Sequence, residues 1–505
     1  MPSPKICGIE TEFGIFARGA DISPMTASSL LVNAWSDHGL GLRAWDFGDE
    51  HPDHADSEGW RPEADYPEVE MLMANTVLTN GSRYYVDHAH PEVSTPECVS
   101  PRQAVLYDRA AEEIVRGSLR RANGRLGRGI ELVAHKNNSD GKGNSYGCHE
   151  NYLVSRAVPF PRIVDCLTTH FVTRQVYTGA GKVGTENLRE DEEPVAFQLS
   201  QRADFFEERV GLETTVRRPI INTRDEPHCD PDTWRRLHVI VGDANMSETA
   251  TWLKLGTTAI VLAMLEDDAF PTNLTVTDPV TEMRRVSHDV TLGHRVHLVD
   301  GRMLDAITVQ RTILTAAQQW RRTVSVDPLG GDTDDILTLW QSTLDALDRD
   351  PMELADRIDW VAKKRIIDAM ADRHGLEPGH ARLRAIDLQY HDLDAERCLA
   401  RRIGLQRMFT DAEVADAVSS PPRGTRAFFR GECIRLFGDR ISSANWDNIV
   451  FDTGIDGLQR VPTRDPLKGT AAHVEALLSS VRDVRGLLDA LGDDAVEPVS
   501  DDPGW

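Results

Sequence analysis

Polar and apolar residues alternate along Arg83-Tyr84-Tyr85-Val86-Asp87, a run rich in aromatic and β-branched side chains, and the pattern predicts a strand. With period two, Arg83, Tyr85 and Asp87 share one face while Tyr84 and Val86 share the other. A guanidinium, a phenol and a carboxylate in a row are suited to binding rather than packing. The turn that follows adds Glu92, Thr95 and Glu97. Residues 6–15 (ICGIETEFGI) also predict a strand, with Glu10 and Glu12 on one face. Adjacent carboxylates repel unless water, arginine or a metal neutralises them. Magnesium takes oxygen ligands and is commonly shared between carboxylates and nucleotide phosphates; a solvated strand edge is the plainer alternative.

The same patterning places the remaining elements. A short helix is expected over 26–35, and Ser100-Pro101 should cap and open a long one reaching Asn123. Strands are expected near 130–135, 152–154 and 236–241, a buried helix over 248–265, and helices through most of 305–405. Lys136–Tyr146 is a loop rich in Gly and Asn that matches no Walker or dinucleotide pattern, so it is weak evidence for phosphate binding. The turn cluster Ser419–Gly424 suggests a large unit over 1–410 and a small one over 411–505, closing with a helix and an acidic tail.

Charge adds a third feature. Residues 37–70 hold eleven acidic side chains against Arg43 and Arg61, with scattered Gly and Pro. This acidic insertion, taken as 37–77, is either a solvated loop or a flap, since it separates the two polar strands and must start and end near them. Over the whole chain, 56 Lys and Arg against 81 Asp and Glu give a formal charge of −25. Generic nucleic-acid binding needs a basic surface and is disfavoured. No long apolar run suggests a membrane span, and the N-terminus lacks a signal-peptide core. The seven cysteines are scattered without CxxC spacing, as expected of free thiols in a reducing cytoplasm.

Two histidines add chemistry. His149 follows the glycine-rich loop in SYGCHENY, and His238 lies in RRLHVIVGDANMSE, where Arg236, His238 and Ile240 should share a strand face. Imidazole is a common metal ligand, and a structural histidine is the alternative for each. Arg224 is either a clamp for phosphate or carboxylate, or a structural partner of Asp225. Trp446 offers a ring for stacking on a purine, or belongs to a core. The expected fold class is α+β: a curved, largely antiparallel sheet packed with helices, its polar face gathering Glu10, Glu12, Arg83, Tyr85, Asp87, Glu92, His149 and His238.

Six motifs in order, GIETEFG, RYYVDHAHPEVSTPE, SYGCHENY, INTRDEPH, RRLHVIVGDANMSE and TRAFFRG, resemble the family of Pup ligases and Pup deamidases/depupylases. These are relatives of glutamine synthetase and the carboxylate–amine ligases. The resemblance spans nearly the whole chain and implies a glutamine-synthetase-like cradle binding ATP (or ADP plus phosphate) and Mg2+. It implies metal positions at Glu10, Tyr85 and Glu92, with Glu12, His149 and His238 as further metal candidates. It implies ATP contacts at Arg83, Thr95 and Trp446, and a catalytic aspartate at Asp87, either as nucleophile or as base for water. His238 falls where a glutamine synthetase strand has a metal-binding glutamate. Magnesium and donors such as Arg224 would stabilise the oxyanion.

The acidic insertion and the segments at 446–462 and 465–470 look like the deamidase branch, implying deamidation of Pup's C-terminal glutamine and hydrolysis of the Pup–lysine isopeptide bond. Pup and pupylated proteins are then the partners, with no nucleic acid and no membrane. Pup is acidic, so a local basic groove is expected, with Arg217, Arg218, Arg224, Arg235 and Arg236 as candidates. A Pup ligase, a carboxylate–amine ligase acting on a small amino acid, and a silent Pup-binding module are the competing readings.

Overall fold

A computed structural model of the chain describes residues 2–36, 41–42, 45–46, 74–189, 192–454 and 457–499. Among them a seven-stranded sheet runs in the order Trp234–Val239, Cys148–Ser155, Cys7–Glu12, His90–Ser94, Arg83–Asp87, Asn75–Leu78, Gly41–Leu42. Every neighbouring pair is antiparallel. Most of the expected acidic insertion, and the last residues of the acidic tail, lie outside the described residues.

Alternation decides what each strand buries. Cys7, Ile9, Tyr152, Val154, Leu237 and Val239 enter the main core beneath the sheet. That core includes the helices Pro101–Asn123, Phe160–Thr178 and Glu248–Glu266. Tyr84, Val86 and Val93 join a second core with Leu31, Val32 and Trp35 of the helix Pro24–Ser36. Burial of the odd or even set of each strand therefore forces the polar set onto the opposite face. The helices expected between 305 and 405 are present, the longest being Thr333–Arg349. No helix among the described residues is long and apolar enough to cross a membrane.

Several boundaries differ from expectation. The first predicted strand is two: Cys7–Glu12 in the main sheet, then Gly14–Arg18, which pairs with Glu131–His135 in a separate ribbon. The strand expected at 152–154 begins at Cys148, because polar residues carry its alternation and hide it from hydropathy. The strand expected at 236–241 is Trp234–Val239, so Ile240 lies beyond it in the main core rather than beside Arg236 and His238.

A third core is built around the helix Ala427–Phe437 and a four-stranded sheet, Ile441–Ala444, Asn448–Asp452, Leu458–Pro462 and Glu497–Pro498. Helix Asp411–Ala417 instead sends Val414 and Ala417 into the main core. The large unit thus reaches past residue 410, its expected end.

Candidate active site

Register, more than any single residue, assembles the polar face. Glu10 lies opposite His149 on one side and Ser94 on the other, and Ser94 lies opposite Arg83. In the next row Glu12 lies opposite Glu92, and Glu92 opposite Tyr85. His238 lies opposite Asn151. The hairpin between Arg83–Asp87 and His90–Ser94 turns through His88, which takes a left-handed conformation (φ 50°). This brings Asp87 back beside the carboxylates.

Two groups result, each with ligand atoms within 4.8 Å of one another: Glu10, His149 and His238, and Glu12, Asp87 and Glu92. In the first, His149 Nδ1 lies 3.4 Å from Glu10 Oε2, and the two imidazoles meet edge to face with centroids 4.8 Å apart. Asn151 organises this group. Its Nδ2 donates to Glu10 Oε1 (2.9 Å), leaving Oδ1 to accept from Arg236 Nη1 (2.9 Å) and His238 Nδ1 (3.0 Å). A proton on His238 Nδ1 leaves Nε2 as a lone pair, and that buried atom has no hydrogen-bond partner. An orphaned acceptor beside a carboxylate and a second imidazole fits a divalent cation. The all-carboxylate group offers the hard oxygen donors that magnesium prefers.

The electrostatics match this crowding. Burial opposes ionisation of Glu10 most, yet the His149 hydrogen bond and the charge of Arg236 hold its carboxyl well below the usual range. Glu12 is likewise held at about 2 against burial, by His90, His149 and the Gly147 amide. Glu92 moves the other way: burial, then the charges of Asp87, Glu12 and Glu10, push it well above the ordinary value. Burial and the neighbouring Glu92 and Glu10 also push the Tyr85 phenol up, so it offers a neutral oxygen. Asp87 remains about one-third exposed, with His88 Nδ1 at 3.0 Å from Oδ2. It is the carboxylate of the group most open to a substrate.

Beside these groups lies a cleft of about 620 Å³, lined by Gly8, Glu10, Thr95, Glu97, His228, Arg426 and Trp446 among others. Thr95 Oγ1 accepts from the Ile9 amide (2.9 Å), which ties the two strands at the cleft wall. Trp446 is kept in place by Arg430, whose Nη1 donates to its carbonyl (3.0 Å). Arg83 stands next to the cleft rather than in its wall, its guanidinium stacked between the rings of Trp45 and Tyr85 at 3.9 and 4.0 Å from their centroids.

The arginine candidates divide. Arg236 reaches Glu226 (3.3 Å) and Arg224 donates to the same carboxylate (2.8 Å), so both edge the site. Asp225 pairs with Arg156. Arg218 braces the glycine-rich loop through Ser145 O (2.9 Å). Two candidates leave the groove: Arg217 is exposed and paired with Glu208, while Arg235 points to the opposite strand face, donating to Val158 O and packing on Phe160. The glycine-rich loop does not present a phosphate cradle, since the amides of Gly141, Lys142, Gly143 and Asn144 are taken by Ser139, Asp140 and Glu186.

Sequence reasoning missed Asn151, His90 and Gly147. Asn151 is two residues beyond His149 and His90 two before Glu92, so period-two alternation could have found both. Gly147 donates to Glu12 Oε1 (2.7 Å), and a Cβ there would lie 2.2 Å from His149 Nε2. The cleft residue Arg426, in contrast, arrives from more than three hundred residues away; its motif TRAFFRG was legible, but its place in the cleft was not.

Comparison with known proteins gives this arrangement its setting. A family model described as Pup-ligase protein matches residues 5–450. The chain is 48% identical to the depupylase of Acidothermus cellulolyticus, over 96% of this chain and 99% of that relative. It is 44% identical to the Pup deamidase/depupylase of Mycolicibacterium smegmatis, over the same shares. A Pup–protein ligase of Nocardioides sp. is 41% identical, over 81% of this chain and 90% of that relative. The fold matches the ligase PafA in its complex with Pup at a TM-score of 0.78, with 29% identity over 94% of this chain and 92% of that one. It matches PafA in complex with ADP at 0.72, with 30% identity over 86% and 98% of the two chains. Matched by the family model along most of its length, and by relatives at 44–48% identity from end to end, this chain belongs to the Pup-ligase protein family.

Proposed function

We propose that the protein hydrolyses side-chain amides of Pup, converting its C-terminal glutamine to glutamate and releasing Pup from lysines of pupylated proteins. The observation that carries this reading is sequence likeness: 44–48% identity to the hydrolases over 96% of the chain, against 41% identity to the ligase over 81%. In both reactions water's oxygen ends on the carbonyl carbon, the C–N bond breaks, and ammonia or a lysine amine leaves with a proton. One site therefore serves both.

Asp87 is the residue assigned to this step, as nucleophile or as base aiming a water, because it is the accessible carboxylate of the polar face. Arg83, Thr95 and Trp446 are assigned to the nucleotide, ATP or ADP with phosphate, in and beside the cleft. Glu10, His149 and His238, with Glu12, Glu92 and the neutral Tyr85 oxygen, are assigned to Mg2+, which when bound would neutralise phosphate and oxyanion charge. Arg224 and Arg236 stand where an acidic substrate would meet positive charge, although Glu226 shares both. Seven free, buried thiols suit a reducing cytoplasm.

Incubation with a pupylated protein, ATP and magnesium tests the reading. Release of free Pup is expected, and formation of new conjugates would make the protein a ligase instead. Asp87→Asn should abolish release while leaving ATP binding intact, and a variant that still cleaves would refute the assignment of Asp87.

A further inference from the structure

Trp45 and Asp46, from the root of the acidic segment, dock on the small sheet. Trp45 bridges to Ala444 in parallel fashion, and the Asp46 amide donates to Ala444 O (3.2 Å). Asn445 Nδ2 reaches Asp46 O (3.4 Å), and Arg460 Nη2 lies 3.4 Å from Asp46 Oδ2. The Trp45 ring is buried in the core of the small unit, alongside Phe428 and Ile449, and it meets Trp446 edge to face at 5.4 Å. The same ring carries the Arg83 guanidinium, 3.9 Å from its centroid. The Tyr85 ring also lies against the guanidinium, 4.0 Å from it, and Asn75 Oδ1 accepts from Arg83 Nε (3.2 Å).

A long arginine has several rotatable bonds, and a cation held between two rings in a desolvated place loses that freedom before any ligand arrives. We propose that Trp45 is a positioning residue of the nucleotide site: anchored through Asp46 to the small sheet, it holds the Arg83 guanidinium beside Trp446. The main sheet supplies the arginine, the small unit supplies the stacking tryptophan, and Trp45 joins them. This rests on the reading that Arg83 and Trp446 contact the nucleotide.

Titration of the full-length protein with ATP and magnesium, alongside cleavage kinetics, tests it. Trp45→Ala should weaken ATP binding about tenfold, while Trp45→Phe, which keeps a ring over the cation, recovers most of the loss. The cleavage rate at saturating ATP should stay within about twofold of the parent, because the stack prepares binding and not the bond-breaking step. Asp46→Arg should weaken binding, and combining it with Arg460→Asp should restore it. Parent-like ATP affinity in Trp45→Ala, or a Trp45→Phe variant as weak as the alanine one, would overturn the proposal. Arg83→Ala separates the two readings: if it binds ATP like the parent, the nucleotide assignment itself fails; if only Arg83→Ala binds weakly, the positioning role fails alone.

Discussion

Asn151 shows how a single neutral side chain can order a charged site. Its amide nitrogen can only donate, so it meets the Glu10 carboxylate, and its oxygen can only accept, so it fixes the His238 tautomer with Nε2 open. Groups that orient metal ligands in this way are worth about 10–100-fold in metal affinity. Asn151→Ala should therefore weaken divalent-cation binding by that factor, read by Mn2+ titration, and unchanged affinity would remove Asn151 from the site. His149 was legible from the sequence as an imidazole beside the glycine-rich loop, and His238 as one in an otherwise apolar strand. Asn151 shares the His149 face by period-two alternation, but an asparagine carries no charge signature, so its task shows only beside its partner on the neighbouring strand.

At the level of elements, the long helix Pro101–Asn123 was readable from its ends. Ser100 accepts from the Gln103 amide and Pro101 opens the first turn, as the S-P pair predicted. Ser100→Ala should cost about 1 kcal/mol in urea unfolding, without changing cleavage at saturating substrate; no loss would mean that packing alone defines this terminus. The strands were less legible. Cys148–Ser155 carries Cys, His, Glu and Asn through its first half, so its extended conformation is set by two neighbours in the sheet and not by its own propensity. Arg235 and Arg236 are adjacent and chemically identical, yet one braces the core side through Val158 O and the other reaches Glu10 and Asn151. A one-residue change in register would exchange their roles.

Across the whole molecule, Glu97 joins the small unit to the sheet. It accepts from Arg426 and Arg430, which also bond His228 O, Thr463 O, Gly81 O and Trp446 O. Burial opposes its ionisation, but the two guanidiniums hold it at about 2. The unfolded value is about 4.3. Because the folded value is the lower one, the stabilisation is fully present above about pH 4.3 and is lost as pH falls toward 2. Glu97→Gln should lower stability by about 3 kcal/mol at neutral pH and flatten the loss between about pH 4.3 and 2, measured by denaturation across pH; an unchanged acid profile would show that other carboxylates control it. The sequence by itself determined the chemistry present: the ExE pair, the Arg–Tyr–Asp face, the two histidines, the capped helix and the acidic insertion, all of which follow from local alternation and composition. Tertiary structure alone decided which of these groups meet. Strand register sets Glu10 against His149 and Glu12 against Glu92. Chain crossings bring Arg426 and Trp446 to the cleft from the far end of the sequence. The physical reason is that side-chain periodicity is a property of a few neighbouring residues, whereas a site is formed by burial and pairing between segments that the chain itself keeps far apart.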